Sequence, residues 1–229
     1  MNTVVSANFI KRGLQNPIFS MKTAISYLLQ NKDIQYIRKS LSAYYDKNAV
    51  DKFAIGASAG IKEIAIYLII KKYRPSLMIE TGVANGVSTY FILKAMHENR
   101  TGKLISIDYP NYNPKGYVNE DGKPDAVFIP TGKEPGWLVP TEFKDRFSIM
   151  TGKSSDILPQ LDFTPDIFYH DSDHSYTNMK FELEWAYMHV KKSGLIMADD
   201  TNINSAWVDF LASKNVKKLR LPISTAIKL

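Results

Sequence analysis

Apolar positions change rhythm near Pro75, and the change divides the chain. Before it they recur at helical spacing. Asn16-Pro17 reads as a cap followed by proline in the first turn, and Ile18, Met21, Ile25, Leu28 and Leu29 continue as one stripe. Asp33 is placed to cap a second helix with Ile34, Ile37, Leu41 and Tyr44 on one face. Neither helix can bury its stripe alone, so the pair is expected to pack on the main domain or on a second copy of the chain, which makes a homodimer through these helices an expectation. A third helix is predicted from about Ser58 to Lys72, with Ile61, Ile64, Ala65, Leu68 and Ile69 inward.

After Pro75 short apolar runs alternate with helical segments. Strands are predicted at Leu77 to Glu80, Lys103 to Asp108, Arg146 to Met150, Asp166 to His170 and Leu195 to Ala198. Helices are predicted from Gly86 to about His97 and from Ser175 to Val190, the latter with Met179, Leu183, Ala186 and Val190 on one stripe. Residues 217–221 and 225–229 can close the fold as a hairpin. This alternation implies an α/β fold: a doubly wound, mostly parallel sheet preceded by N-terminal helices. The expected organisation is a helical extension over residues 1–57 and one domain over residues 58–229. Residues 109–144 break the rhythm, being rich in Pro, Gly, Asn and Lys with Tyr112, Tyr117, Phe128 and Trp137 between them. An insertion of that length at the carboxyl end of a strand is either a lid or substrate loop, or a variable surface segment.

Charge and composition narrow the picture. The net charge of +6 is carried by the ends, because residues 1–50 hold seven Lys/Arg against two acids and residues 214–229 hold five against none. No stripe of Arg and aromatic residues accompanies that charge, so solvated faces are expected rather than a nucleic-acid partner. With no cysteine, disulfides, thiolate catalysis and sulfur-held zinc are excluded. No apolar run approaches the roughly 20 residues of a bilayer span, and the opening residues do not read as a signal peptide; a cytoplasmic location is the expectation.

Candidate chemistry collects where strands end. The fourth strand stops at Asp171 and Asp173, the fifth at Asp199 and Asp200, and a helix lies between them. A right-handed crossover makes these strands parallel and puts all the carboxylates on one sheet edge, where such folds bind ligands. Several carboxylates there favour a hard cation, although one of the final pair could instead cap a helix near Thr201. His170 should point to the opposite face by strand alternation, whereas His174 shares the loop with the acids. Trp137 and Trp207 either line a pocket or belong to the core. The turn Glu80-Thr-Gly82-Val-Ala-Asn-Gly86 lacks the third glycine of a dinucleotide fingerprint and the lysine of a P-loop. It retains an acid before a glycine, a second glycine opening a helix, and Asp108 closing the next strand, where a carboxylate can accept from both hydroxyls of a ribose.

Glu80-x-Gly82-x-x-x-Gly86-x-Ser88, Ile107-Asp108, Gly136-Trp137-Leu138-Val139-Pro140, Asp171-Ser-Asp173-His174-Ser-Tyr176 and Asp199-Asp200, in that order, resemble class I S-adenosylmethionine-dependent methyltransferases of the small metal-dependent O-methyltransferase-like group. The resemblance spans roughly residues 58–207. It implies that Glu80, Gly82, Gly86 and Ser88 belong to the S-adenosylmethionine site, with Asp108 on the ribose and Gly152-Lys153-Ser154 near the adenine. It further implies a divalent cation, commonly magnesium, on Asp171, Asp199 and Asp200, and a small hydroxylated acceptor. His174 stands where relatives often place a lysine that takes the acceptor proton, so it is expected to be the general base or to orient the hydroxyl; capping the following helix is its alternative role. Two other function classes stay open: a non-catalytic binding protein that keeps this fold, and a nicotinamide-dependent oxidoreductase.

Overall fold

The computed structural model describes residues 32–45, 61–113, 117–119, 121–122, 124–125, 128–221 and 223–229. The helix expected after Asn16-Pro17 lies outside them. The elements that build the domain are α1 (Lys32–Ser42), α2 (Ile61–Tyr73), β1 (Leu77–Thr81), α3 (Val87–Asn99), β2 (Lys103–Asp108), β5 (Phe147–Thr151), β6 (Ile167–His170), α5 (Tyr176–His189), β7 (Leu195–Ala198), α6 (Ala206–Ser213), β8 (Val216–Leu219) and β9 (Ser224–Lys228). Between β2 and β5 the insertion carries a two-stranded ribbon, β3 (Tyr117–Val118) with β4 (Pro124–Asp125), and α4 (Ser154–Ile157) is a single turn after β5.

Seven strands form one sheet in the order β5-β2-β1-β6-β7-β9-β8. The first five are mutually parallel, and β9 and β8 close the edge as an antiparallel hairpin. β1, β6 and β7 are buried along nearly their whole length, as strands covered by helices on both faces must be. The order reverses between β1 and β6, so the crevice at their carboxyl ends is the switch point at which open α/β sheets bind ligands.

Two cores cover the two faces. One gathers α1, α2 and α3 against Met78, Leu104, Tyr169 and Met197. The other gathers α5 and α6 against Ile79, Ile107, Phe168 and Ile196. The α1 stripe Ile34, Ile37 and Leu41 is spent within the chain on the first core, each side chain contributing about 1.5–3 kcal/mol by burial. Tyr44 does not complete that stripe: it is 45% exposed, and Tyr45 is the buried one. Asp33 sits inside the first turn of α1 instead of capping it, and its carboxylate accepts from the Tyr90 hydroxyl at 2.8 Å. On α2 the inward face is rotated from the expected one, with Glu63, Ala65, Ile66 and Ile70 buried. The α5 stripe is buried as the spacing predicts, and Ser175 caps the helix by accepting from the Asn178 N–H. Trp207 belongs to the second core, on α6, an element the apolar pattern does not announce.

Candidate active site

Two glycines give the turn after β1 its shape. Gly82 has φ +82°, and a Cβ there would run into the backbone carbonyl of Asp171, so the turn is wedged against the end of β6. Its N–H donates to Ile107 O at 2.8 Å, while the Asp171 N–H donates to Thr81 O at 2.9 Å. Gly86, at φ +89°, opens α3, and a Cβ on it would lie 2.7 Å from the Gly136 Cα. The turn is therefore in contact with β6 on one side and with the insertion on the other.

The two acids of this region have different tasks. Glu80 is fully buried and accepts from three hydroxyls, Ser88 at 2.8 Å, Thr89 at 2.9 Å and Ser106 at 2.7 Å, which lock the first turn of α3 to β1 and β2. Burial pushes its carboxyl up to about 7, with the three donors pulling the other way. Asp108 closes β2 and accepts from the Ala84 N–H at 3.1 Å, as well as from the N–H groups of Val83 and Tyr109. Burial raises it to about 6 against those donors. Beside it, the Gly152 N–H donates to Asp108 O at 2.8 Å, Lys153 Nζ lies 5.9 Å from the Tyr109 ring centre, and Ser154 Oγ donates to Asn178 Oδ1 at 3.1 Å. Asp108 and Ser154 thus share one stretch of the sheet edge, next to the glycine turn.

The parallel register of β6 and β7 pairs His170 with Ala198, so the residues that follow, Asp171 and Asp199, leave the sheet side by side. Ligand-capable atoms of Asp171, His174 and Asp199 all lie within 4.8 Å of one another. Asp200 is not part of this group. Its φ of +47° turns the chain, its carbonyl accepts from the Ile203 N–H, and the residue is exposed. His174 takes the third place, with Nε2 3.9 Å from Asp171 Oδ1. The Tyr169 hydroxyl donates to Asp171 Oδ2 at 2.9 Å.

Lys62, from the first turn of α2, also reaches this cluster. Its Nζ lies 2.5 Å from Asp199 Oδ2, 3.6 Å from Asp171 Oδ2 and 3.7 Å from Glu63 Oε1. Burial opposes ionisation of Asp199, but the ammonium beside it outweighs burial and holds the carboxyl below its ordinary value. Asp171 goes the other way: burial, reinforced by Asp199, pushes it well above the usual carboxylate range in spite of Lys62. The pair carries more negative charge than one lysine neutralises.

Beneath the acids lies a second polar group. His170 Nδ1 is 2.6 Å from Glu182 Oε2, and Thr81, Ser172 and Asn178 donate to the same carboxylate. Both residues are fully buried, so His170 is a packed histidine, as strand alternation implies. Its ring meets that of His174 edge-on at 5.2 Å. His97 contacts the Phe143 ring, and His189 stacks on Trp185, both away from this edge. Glu182 had one sequence signal, an acid adjoining the apolar stripe of α5. Lys62 had none, standing 137 positions before its partner Asp199.

The insertion crosses the same edge. The Gly136 N–H donates to Ala84 O at 2.9 Å, the Leu138 N–H to Asn85 O at 3.2 Å, and Trp137 Nε1 to Asn85 Oδ1 at 2.7 Å. The Tyr45 hydroxyl donates to Phe128 O at 2.5 Å, and Asp121 accepts from the Tyr176 N–H at 2.8 Å, at the start of α5. Trp137 packs against Tyr44, with Lys133 Nζ 5.1 Å from its ring centre and 5.2 Å from that of Tyr44.

Residues 79–201, more than half of the chain, match a family model described as a methyltransferase domain. Among solved structures, the SAH-bound methyltransferase PaMTH1 from Podospora anserina superimposes with a TM-score of 0.60 at 13% identity, covering 91% of this chain and 94% of that one. A methyltransferase from Geobacter sulfurreducens gives 0.60 at 14% identity, over 91% and 95%. An O-methyltransferase from Bacillus cereus in complex with SAH gives 0.53 at 12% identity, over 91% and 97%. No curated protein sequence is similar enough to match the chain. At these identities the structural likeness establishes the fold.

Proposed function

The chain belongs to the methyltransferase-domain family and is a class I S-adenosylmethionine-dependent methyltransferase; from that premise we propose that it methylates a hydroxyl of a small molecule, with a divalent cation, magnesium in the first place, held by the acid pair. One observation carries the reading: the glycine turn and the acid cluster share a wall. The space for a Cβ on Gly82 is filled by the carbonyl of Asp171, so a donor seated on the turn and an acceptor seated on Asp171, Asp199 and His174 are neighbours. Holding both partners in one crevice supplies the proximity that methyl transfer needs.

The residues fit S-adenosylmethionine. Asp108 offers a nearly buried carboxylate to the two ribose hydroxyls, and Ser154 with Lys153 borders the neighbouring space. Gly82 and Gly86 bring the backbone close to the methionine part. Glu80 serves that site from below, with Ser88 as one of its three donors, by fixing the shape of the turn. The residues also fit a hard cation: two carboxylates and an imidazole converge within ligand distance of one another, and their charge is under-neutralised. When bound there, such an ion lowers the pKa of a hydroxyl that coordinates it. Asp171 and Asp199 would hold it, and Asp200 would join only by leaving its present turn. His174 Nε2 stands at the same mouth and is assigned the proton of the acceptor hydroxyl. Residues 109–144, tied to Asn85 and to the start of α5, act as the lid over the crevice.

Calorimetry with S-adenosylmethionine, followed by transfer of labelled methyl to a panel of mono- and polyhydroxylated small molecules with and without EDTA, tests the reading. Cofactor binding with EDTA-sensitive transfer to oxygen is the expected result. Transfer that EDTA leaves untouched removes the cation, and cofactor binding with no transfer to any acceptor would favour a protein that keeps the fold for binding.

A further inference from the structure

Lys62 contacts the acid pair on the same atoms a bound ion would need. Its ammonium meets Oδ2 of Asp199 and Oδ2 of Asp171 at 2.5 Å and 3.6 Å, and so stands between the two carboxylates. An ion bridging these residues at oxygen distances of about 2.0–2.6 Å would overlap that ammonium and repel it. Helix geometry does not account for the placement. Lys62 lies in the first turn of α2, where the helix dipole disfavours a cation, and the acids at the ends of β6 and β7 are what hold it. The side chain keeps 21% of its surface exposed, and its four-carbon stem has room to swing toward solvent.

We propose that Lys62 is a built-in counter-ion that competes with the divalent cation for Asp171 and Asp199, so that ion binding and displacement of the lysine are a single exchange. The inference rests on the cation reading above. It explains how two neighbouring carboxylates and the buried Glu63 share one small space without an ion: a tethered ammonium stands in and keeps the ends of β6 and β7 from repelling each other. It also sets a cost on ion binding, because the ion must release a paired ammonium before it reaches both oxygens.

Manganese binding to the full chain, followed by electron paramagnetic resonance and by calorimetry, tests the exchange with wild type, Lys62→Met and Lys62→Arg, and with Asp199→Asn in each background to locate the ion. Lys62→Met should bind manganese at least about tenfold more tightly, the scale expected from removing one unit charge a few ångströms away, while Lys62→Arg stays near wild type. A measurement on the unaltered protein avoids any folding defect: saturating manganese should raise the rate at which Lys62 is acylated by an amine-reactive reagent, read by mass spectrometry. Equal or weaker binding in Lys62→Met at a site that Asp199→Asn abolishes, or Lys62 reactivity unchanged by manganese, overturns the exchange and leaves the cation reading standing. No manganese bound in any of the proteins overturns both.

Discussion

The indole N–H of Trp137 donates to the side-chain oxygen of Asn85 at 2.7 Å, and so the end of the insertion is tied to the cofactor turn itself. Asn85 is 1% exposed and its amide also donates to the Tyr45 hydroxyl at 3.1 Å, which links α1 to the same point. A ligand that orders the turn should therefore order the insertion too.

Asn85→Ala should free the insertion while the sheet remains folded. Losing the Trp137 and Tyr45 bonds costs about 1–2 kcal/mol, which raises the open fraction of the segment roughly five- to thirtyfold. Tryptic cleavage after Lys133 should accelerate on that scale, and S-adenosylmethionine should protect the wild type more than the variant. Unchanged cleavage, with an unchanged melting curve, would mean that this bond does not hold the segment down.

Asp108 makes cofactor affinity depend on pH. Its carboxyl is raised to about 6 by burial, and the ionised form is the stronger acceptor for ribose hydroxyls. Affinity should be full above that value and fall as pH drops through it. Calorimetry from pH 5 to 8 should show this fall in wild type and not in Asp108→Asn, which should bind at least about tenfold more weakly at pH 8. The same slope in both proteins would assign the titration to another group.

Glu80 should leave its mark on stability. Its folded value of about 7 lies above its ordinary 4.5, so the folded state holds a proton that the unfolded chain releases first. Stability contributed by the protonated form is complete below pH 4.5 and is lost as pH rises toward 7, a change on the order of 2–3 kcal/mol. Urea unfolding across this range should show a shallower decline in Glu80→Gln than in wild type. Parallel curves would mean that the three hydroxyl donors offset the burial.

How much of this was legible depends on the range over which each feature is determined. Strands β2 and β7 are found where their apolar runs predict, and the α5 stripe is buried as spaced, because burial on both faces of a parallel sheet writes itself into local sequence. The meeting of Asp171 and Asp199 follows from crossover handedness alone. Asp200 could not be placed this way, since its exposure follows from one left-handed backbone angle after β7. Lys62 was out of reach for another reason: its position depends on how α2 lies across the sheet, and no local pattern encodes that. Trp207 and Glu182 lie between these cases, each beside an apolar stripe that fixes the face but not the partner.

His174 is within ligand distance of the acids and also at the mouth of the crevice, so two roles make different predictions for one variant. As the group that takes the acceptor proton, its loss in His174→Ala should lower turnover by roughly 100-fold or more, with cofactor and manganese affinity unchanged. As an ion ligand, its loss should weaken manganese binding, and turnover should recover at high manganese. As a helix cap it should do neither, because Ser175 already caps α5 through the Asn178 N–H and the Asn204 amide meets only the backbone carbonyl of His174, which the substitution keeps. The geometry favours the first role: Nε2 is 3.9 Å from Asp171 Oδ1, close enough for the carboxylate to stabilise the imidazolium that proton uptake creates. His174→Gln, which retains a hydrogen-bonding group but accepts no proton, separates orientation from proton transfer. Turnover as low as in the alanine variant supports the base, and recovery to near wild type would leave His174 only the task of orienting the hydroxyl.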